Sequence, residues 1–98
     1  MGPPPVIPAD ARPRLAAKAR LRFDHKTERY LLLYPEKGLE LNPTGADIVQ
    51  LCTGEHTISE IVGRLADKYS KQPRAAIEGE MQAFLAALAE RGLVGYGA

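Results

Sequence analysis

The chain has 98 residues, thirteen basic and twelve acidic, a formal charge of +1 at pH 7 and one cysteine. That describes one small domain, with too little core for a large enclosed active site, too little net charge to be driven onto nucleic acid by phosphate attraction, and no internal disulfide. No run approaches the roughly eighteen apolar residues of a membrane span and the N-terminus lacks a secretory signal pattern, so a soluble cytoplasmic protein is expected.

The chain opens on Pro3, Pro4, Pro5, Pro8 and Pro13, which fix φ and lack amides. Residues 1–18 are therefore expected to form an extended arm, and residues 19–98 the domain. From Ala11 to Arg22 there are five basic residues (Arg12, Arg14, Lys18, Arg20, Arg22) and no acidic one, so any basic patch belongs to this end. An arm lying on its own domain gives a monomer, whereas one crossing to a neighbour gives a homodimer through the arm. A proline-rich ligand for another domain is a third use.

From Ala19 the pattern has period two: Leu21 and Phe23 alternate with Arg20, Arg22 and Asp24, as in a strand with one buried face. A polar turn follows, and Tyr30 to Tyr34 is a continuous apolar run that reads as a strand covered on both faces. Pro35 to Gly38 is a turn, and Leu39-Glu40-Leu41 a short third strand. Three antiparallel strands with tight connections make a meander that must lean its apolar face on helices.

Asn42-Pro43 is a helix start: an Asn side chain accepts from a first-turn amide, and a proline at the first position has none to leave unpaired. The first helix buries Ile48, Val49 and Cys52, with Gly54 placed to stop it. Thr57-Ile58-Ser59-Glu60 is a capping box, and Ile58, Ile61, Val62, Leu65, Ala66 and Tyr69 stripe the second helix. The third runs from about Pro73 to Arg91 and buries Ile77, Met81, Phe84, Leu85 and Leu88; Gly92 stops it, and Leu93 packs back on Leu88. Ala76, Gly79, Ala83, Ala86 and Ala87 are either a solvated surface of high helix propensity or a smooth wall for another chain.

Catalytic patterns are missing from the sequence. His25 and His56 sit in turns without a second ligand at metal spacing, Cys52 reads as a buried inert thiol, and the acidic residues alternate with basic ones as on solvated helices. Glu60 with Arg64, and Asp67 with Lys71, are spaced as i,i+4 pairs. The expectation is a protein without enzyme activity, metal or cofactor.

What remains is shape: an α+β, winged-helix-like domain with a small three-stranded antiparallel sheet followed by a three-helix bundle. One use of that plan is as a DNA-binding regulator. The third helix, however, carries Glu78, Glu80 and Glu90 against Arg74 and Arg91, and the second offsets Arg64, Lys68 and Lys71 with Glu60 and Asp67. The other use is capture of an extended peptide on a free strand edge, where backbone hydrogen bonds supply affinity and side-chain pockets supply choice.

The run from Arg29 to Gly45 (Arg-Tyr-Leu-Leu-Leu-Tyr-Pro-Glu-Lys-Gly-Leu-Glu-Leu-Asn-Pro-Thr-Gly), the Leu-Cys-Thr-Gly-Glu-His-Thr-Ile-Ser-Glu-Ile-Val segment from Leu51 to Val62, and Phe84-Leu-Ala-Ala-Leu with Gly92-Leu93-Val94 resemble the PqqD family. The likeness covers about Pro13 to Val94 and excludes the proline-rich arm. It implies a peptide chaperone, or RiPP recognition element, of pyrroloquinoline quinone biosynthesis that binds the precursor peptide PqqA and presents it to the radical SAM enzyme PqqE, with no nucleic acid or membrane as partner. It further implies that the peptide adds beside the third strand against the third helix. Carried onto this chain, that points to Gly38, Leu39, Glu40 and Leu41 for the edge and Gln82 and Leu85 for the wall. Arg20 and Arg22 are expected to present a positive face to acidic groups on the peptide or the enzyme.

Overall fold

The computed structural model describes residues 7–35 and 37–96. In chain order the elements are β1 (Arg14–Leu15), β2 (Arg20–Asp24), β3 (Arg29–Tyr34), β4 (Lys37–Leu41), α1 (Pro43–Leu51), α2 (Ile58–Lys68), α3 (Arg74–Glu90) and β5 (Val94–Gly95). The sheet order is β2-β3-β4, all antiparallel, and β1 pairs antiparallel with β5. The α+β plan, a small meander followed by three helices, is the expected one.

Register determines which side chains face the helices, because directly opposed residues share a face. Leu21, Leu32 and Leu39 stand in one row, and Phe23, Tyr30 and Leu41 in another on the same face. Leu32 and Leu41 are buried there with Ile48 and Val49 of α1. The opposite face carries Arg20, Leu33 and Gly38 in one row and Arg22, Leu31 and Glu40 in the next. Leu31 and Leu33 are only half-buried, so β3 is not covered on both sides as its apolar run suggests. Composition alone cannot distinguish a strand sandwiched between layers from one whose outward leucines are sheltered only by neighbouring strands.

The helix caps form where the residue types demand them. Asn42 Oδ1 accepts from the Gly45 amide at 2.7 Å, with Pro43 in the first turn. α1 ends at Leu51, earlier than Gly54 implied, and Cys52 caps it, its amide donating to the Val49 carbonyl at 3.1 Å. Cys52 is buried, and burial pushes its thiol up to about 12. It should resist thiol-alkylating reagents at neutral pH and react once urea unfolds the chain; alkylation in the native state at the unfolded rate would contradict this burial.

On α2 the capping box is complete, with the Glu60 amide donating to Thr57 Oγ1 at 3.1 Å and the Thr57 amide to Glu60 Oε1 at 2.8 Å. These bonds with Thr57 hold the Glu60 carboxyl below its ordinary range. A depressed folded-state pKa makes this contribution present above the unfolded value and lost as pH falls through the folded one. Thr57→Ala should cost about 1 kcal/mol of unfolding free energy in urea titrations at neutral pH. Glu60 is thus engaged with Thr57, and among the described residues the ion pairs are Arg29 with Glu40, Lys68 with Asp47 and Arg74 with Glu78. The expected pairs on α2 do not form.

α3 buries Ile77, Met81, Leu85 and Leu88, while Phe84 lies at the margin of the core. Gly92 takes φ +69°, and the Gly92 and Leu93 amides donate to the carbonyls of Ala89 and Leu88, each at 2.9 Å. This is the left-handed stop that places Leu93 in the core beside the helix it ends.

The arm departs most from expectation. Its described part lies on its own domain: Ile7 and Pro13 are buried, and β1 falls within the stretch assigned to the arm. The structured body therefore begins by Ile7 rather than at residue 19, and residues 1–6 lie outside the described residues. The Ser59 amide donates to the Ala9 carbonyl at 3.0 Å and the Ile58 amide to the Ala11 carbonyl at 2.9 Å. A proline-containing strap cannot donate at its prolines but offers every carbonyl, and α2 needs acceptors for its first two amides.

Candidate functional site

β4 is hydrogen-bonded only to β3, so its other edge is open among the described residues. In an antiparallel ladder every second residue of such a strand turns its N–H and C=O away from its partner, and another chain can pair with those groups. The open edge faces the C-terminal half of α3 across a groove of about 340 Å³. Leu39, Glu40, Leu41 and Asn42 line one side, and Phe84, Ala87, Leu88 and Arg91 the other. The helical residues are spaced i, i+3, i+4 and i+7, one face of a helix.

Each wall residue has an identifiable support. Leu88 and Leu41 are almost fully buried and form the floor. Phe84 lies against the start of α1, where a Cβ on Gly45 would come within 3.4 Å of its ring and within 3.1 Å of the capping Asn42 oxygen. A side chain at position 45 would therefore disturb both the helix cap and the groove wall. Ala87 is exposed and small, which keeps the groove open at its centre. Arg91 closes one end, its Nη1 donating to the Tyr34 hydroxyl at 3.3 Å.

A second concavity of about 440 Å³ is lined by Phe23, Tyr30, Pro43, Asp47 and Lys68, and it shares Leu41 and Asn42 with the groove. The two concavities thus adjoin at the end of β4. Phe23 is the exposed aromatic there, packed edge-on against both His25 and Tyr30 at 5.1 Å between ring centroids. Lys68 donates to Asp47 Oδ1 at 3.0 Å, and Tyr69 donates to the other carboxylate oxygen, tying α2 to α1. The bond to Asp47 raises the pKa of both Lys68 and Tyr69. Lys68, one of the three cations that a DNA reading of α2 relies on, is therefore already partnered.

Of the residues expected at the site, Leu39, Glu40 and Leu41 line the groove, and Gly38 precedes them on the same strand. Gln82 and Leu85 lie elsewhere. Gln82 is on the opposite flank of α3, where its carboxamide accepts from the Ile7 amide at 2.8 Å and donates to the Ile7 carbonyl at 3.0 Å. It does hold a peptide backbone, but that of its own chain at Ile7. Leu85 is 0% exposed, and its carbonyl accepts from the Tyr96 hydroxyl at 2.9 Å. The groove is lined instead by Phe84, Ala87, Leu88 and Arg91; in the sequence Phe84 and Leu88 read as core, Ala87 as part of the small-residue run, and Arg91 as a charge at the helix end.

Comparison with known proteins bears on the same region. The family described as coenzyme PQQ synthesis protein D (PqqD) matches residues 29–94. The PqqA binding protein of Rhodopseudomonas palustris (strain BisB5) is 38% identical over 84 residues, 86% of this chain and 81% of that protein. The solution NMR structure of the PqqD truncation of Methylobacterium extorquens PqqCD, described as a functional and stand-alone RiPP recognition element, matches with a TM-score of 0.73 at 32% identity, over 85% of this chain and 87% of that one. Lasso peptide synthetase B1 complexed with the leader peptide shares the fold, with a TM-score of 0.73 at 24% identity over 87% of this chain and 99% of that one. The family match begins at β3 and ends in β5, so it takes in both walls of the groove, and with that span and that identity the chain belongs to the PqqD family.

Proposed function

We propose that this protein is a non-catalytic peptide chaperone of pyrroloquinoline quinone biosynthesis: it binds the precursor peptide PqqA as an added strand beside β4 and presents it to the radical SAM enzyme PqqE in the cytoplasm. The observation that carries the reading is the open edge of β4 facing Phe84, Ala87, Leu88 and Arg91 across a groove with an apolar floor. Backbone groups on the edge supply hydrogen bonds that do not depend on peptide sequence, and the apolar floor selects side chains. The relatives named for PqqA binding and RiPP recognition favour a peptide over DNA as the ligand. Family membership and the absence of catalytic patterns in the sequence support a binding role rather than a reaction. Among the described residues no helix is long and apolar enough to cross a membrane.

Ordering a flexible peptide costs several kcal/mol, so the groove alone is expected to give micromolar rather than picomolar affinity. A calorimetric titration with synthetic PqqA checks this, with a scrambled peptide and a short DNA duplex as controls. Saturable heat with PqqA alone is the expected result. Heat with the duplex and none with PqqA would replace this reading with that of a DNA-binding regulator.

A further inference from the structure

The outer face of the three-stranded sheet is a surface that neither the core nor the groove accounts for. At its centre are Leu31 and Leu33, both half-buried. Across β2 they stand opposite Arg22 and Arg20, and across β4 opposite Glu40 and Gly38. Gly38 places no side chain over Leu33: a Cβ there would lie 3.1 Å from Leu33 Cδ2, so the leucine occupies the space a larger residue would take. A concavity of about 500 Å³ continues from the two leucines past Arg22 to His25 and Lys26.

The charges around this patch are unequally compensated. Arg29 pairs with Glu40 at 3.5 Å. The Asp24 carboxylate is engaged in its own turn, accepting from the Lys26 amide at 3.0 Å and the Thr27 hydroxyl at 3.2 Å. Among the described residues Arg20, Arg22 and the Lys26 ammonium have no carboxylate within 4.0 Å. The face is therefore apolar at the centre and cationic along β2.

The patch is also continuous with the proposed peptide edge. A strand added beside β4 extends the same sheet, and strand alternation sends every second of its side chains out on this face, next to Gly38 and Glu40. We infer that the outer face is where the peptide-modifying enzyme docks, through a protein surface with an apolar centre and carboxylates along the side that meets Arg20 and Arg22. This rests on the proposed function and deepens it. A docked enzyme touches Leu31, Leu33 and the outward residues of the bound peptide together, and so binds the loaded protein more tightly than the empty one.

The test measures two affinities for each of three full-length proteins, wild type, Arg20→Glu/Arg22→Glu and Leu31→Ser/Leu33→Ser, using synthetic PqqA and purified PqqE as probes. All three should bind PqqA within about twofold of one another. The arginine reversal, at exposed positions that leave the core untouched, should slow PqqE association roughly tenfold at low salt, with the loss shrinking as salt screens it. The leucine pair should weaken PqqE binding by about the same factor at every salt concentration. Unchanged PqqE binding by a folded arginine variant that still binds PqqA would overturn the inference and leave the proposed function standing. So would loss of PqqA binding in that variant, because the arginines would then belong to the peptide site. Failure of the wild type to bind PqqA would remove the proposed function itself.

Discussion

Ala87→Trp should weaken PqqA binding at least tenfold while leaving the fold intact. Ala87 is exposed and lies at the middle of the helical wall, between Phe84 and Arg91 and across from Leu39 and Glu40. An indole there projects into a groove of about 340 Å³ and occupies the space that an added strand needs. Since no core atom is displaced, the stability change should be limited to the helix-propensity difference, roughly 0.5 kcal/mol. Urea unfolding and calorimetry on the same sample separate the two effects. Wild-type affinity in a folded Ala87→Trp protein would mean that the peptide does not lie between β4 and α3.

Leu85→Ala should behave in the opposite way. The side chain is 0% exposed, in the same buried cluster as Met81, Leu88 and Leu93. Truncation removes buried methyl groups and leaves a cavity, at a cost of about 2–5 kcal/mol. Against a total stability of roughly 5–15 kcal/mol for a domain, that is a large fraction. The midpoint of urea unfolding should fall sharply, and the remaining folded protein should bind PqqA as the wild type does. Leu85→Met, which keeps the volume, should cost less than about 1.5 kcal/mol. A Leu85→Ala protein of normal stability but weakened binding would instead return Leu85 to the groove wall.

Most of the architecture was legible because local signals agreed with one another. Asn42-Pro43, the Thr57 and Glu60 pair, and Gly92 each mark a helix end by a mechanism that does not depend on the rest of the chain, and the structure shows all three caps formed. β1 and β5 were not legible, since two-residue strands have no period and exist only because residues 14–15 and 94–95, far apart in sequence, meet in the fold. The prolines of the arm implied extended backbone, whereas its described part turns at Pro8 to Ala11, where the Ala11 amide donates to the Pro8 carbonyl at 3.0 Å. They could not reveal that Ala9 and Ala11 carbonyls complete the first turn of α2 or that Gln82 clamps Ile7.

The site was legible as a strand and a helix but not as a flank. Gln82 and Arg91 lie on opposite sides of the buried stripe of α3, and from sequence either side can face β4. Phe84 and Leu88 carry the periodicity of core residues because the groove adjoins the core, with Leu88 belonging to both. The choice between flanks depends on where the arm packs, a contact between residues 75 positions apart.

The most direct test of strand addition is an amide-shift titration of isotope-labelled protein with synthetic PqqA. Saturable shifts should appear along β4 from Gly38 to Leu41 and on α3 at Phe84, Ala87, Leu88 and Arg91, with Gln82 and the Ile7 strap unmoved. Shifts confined to the Gln82 flank, or to Arg64, Lys68 and Lys71 of α2, with β4 silent at saturation, would contradict the account.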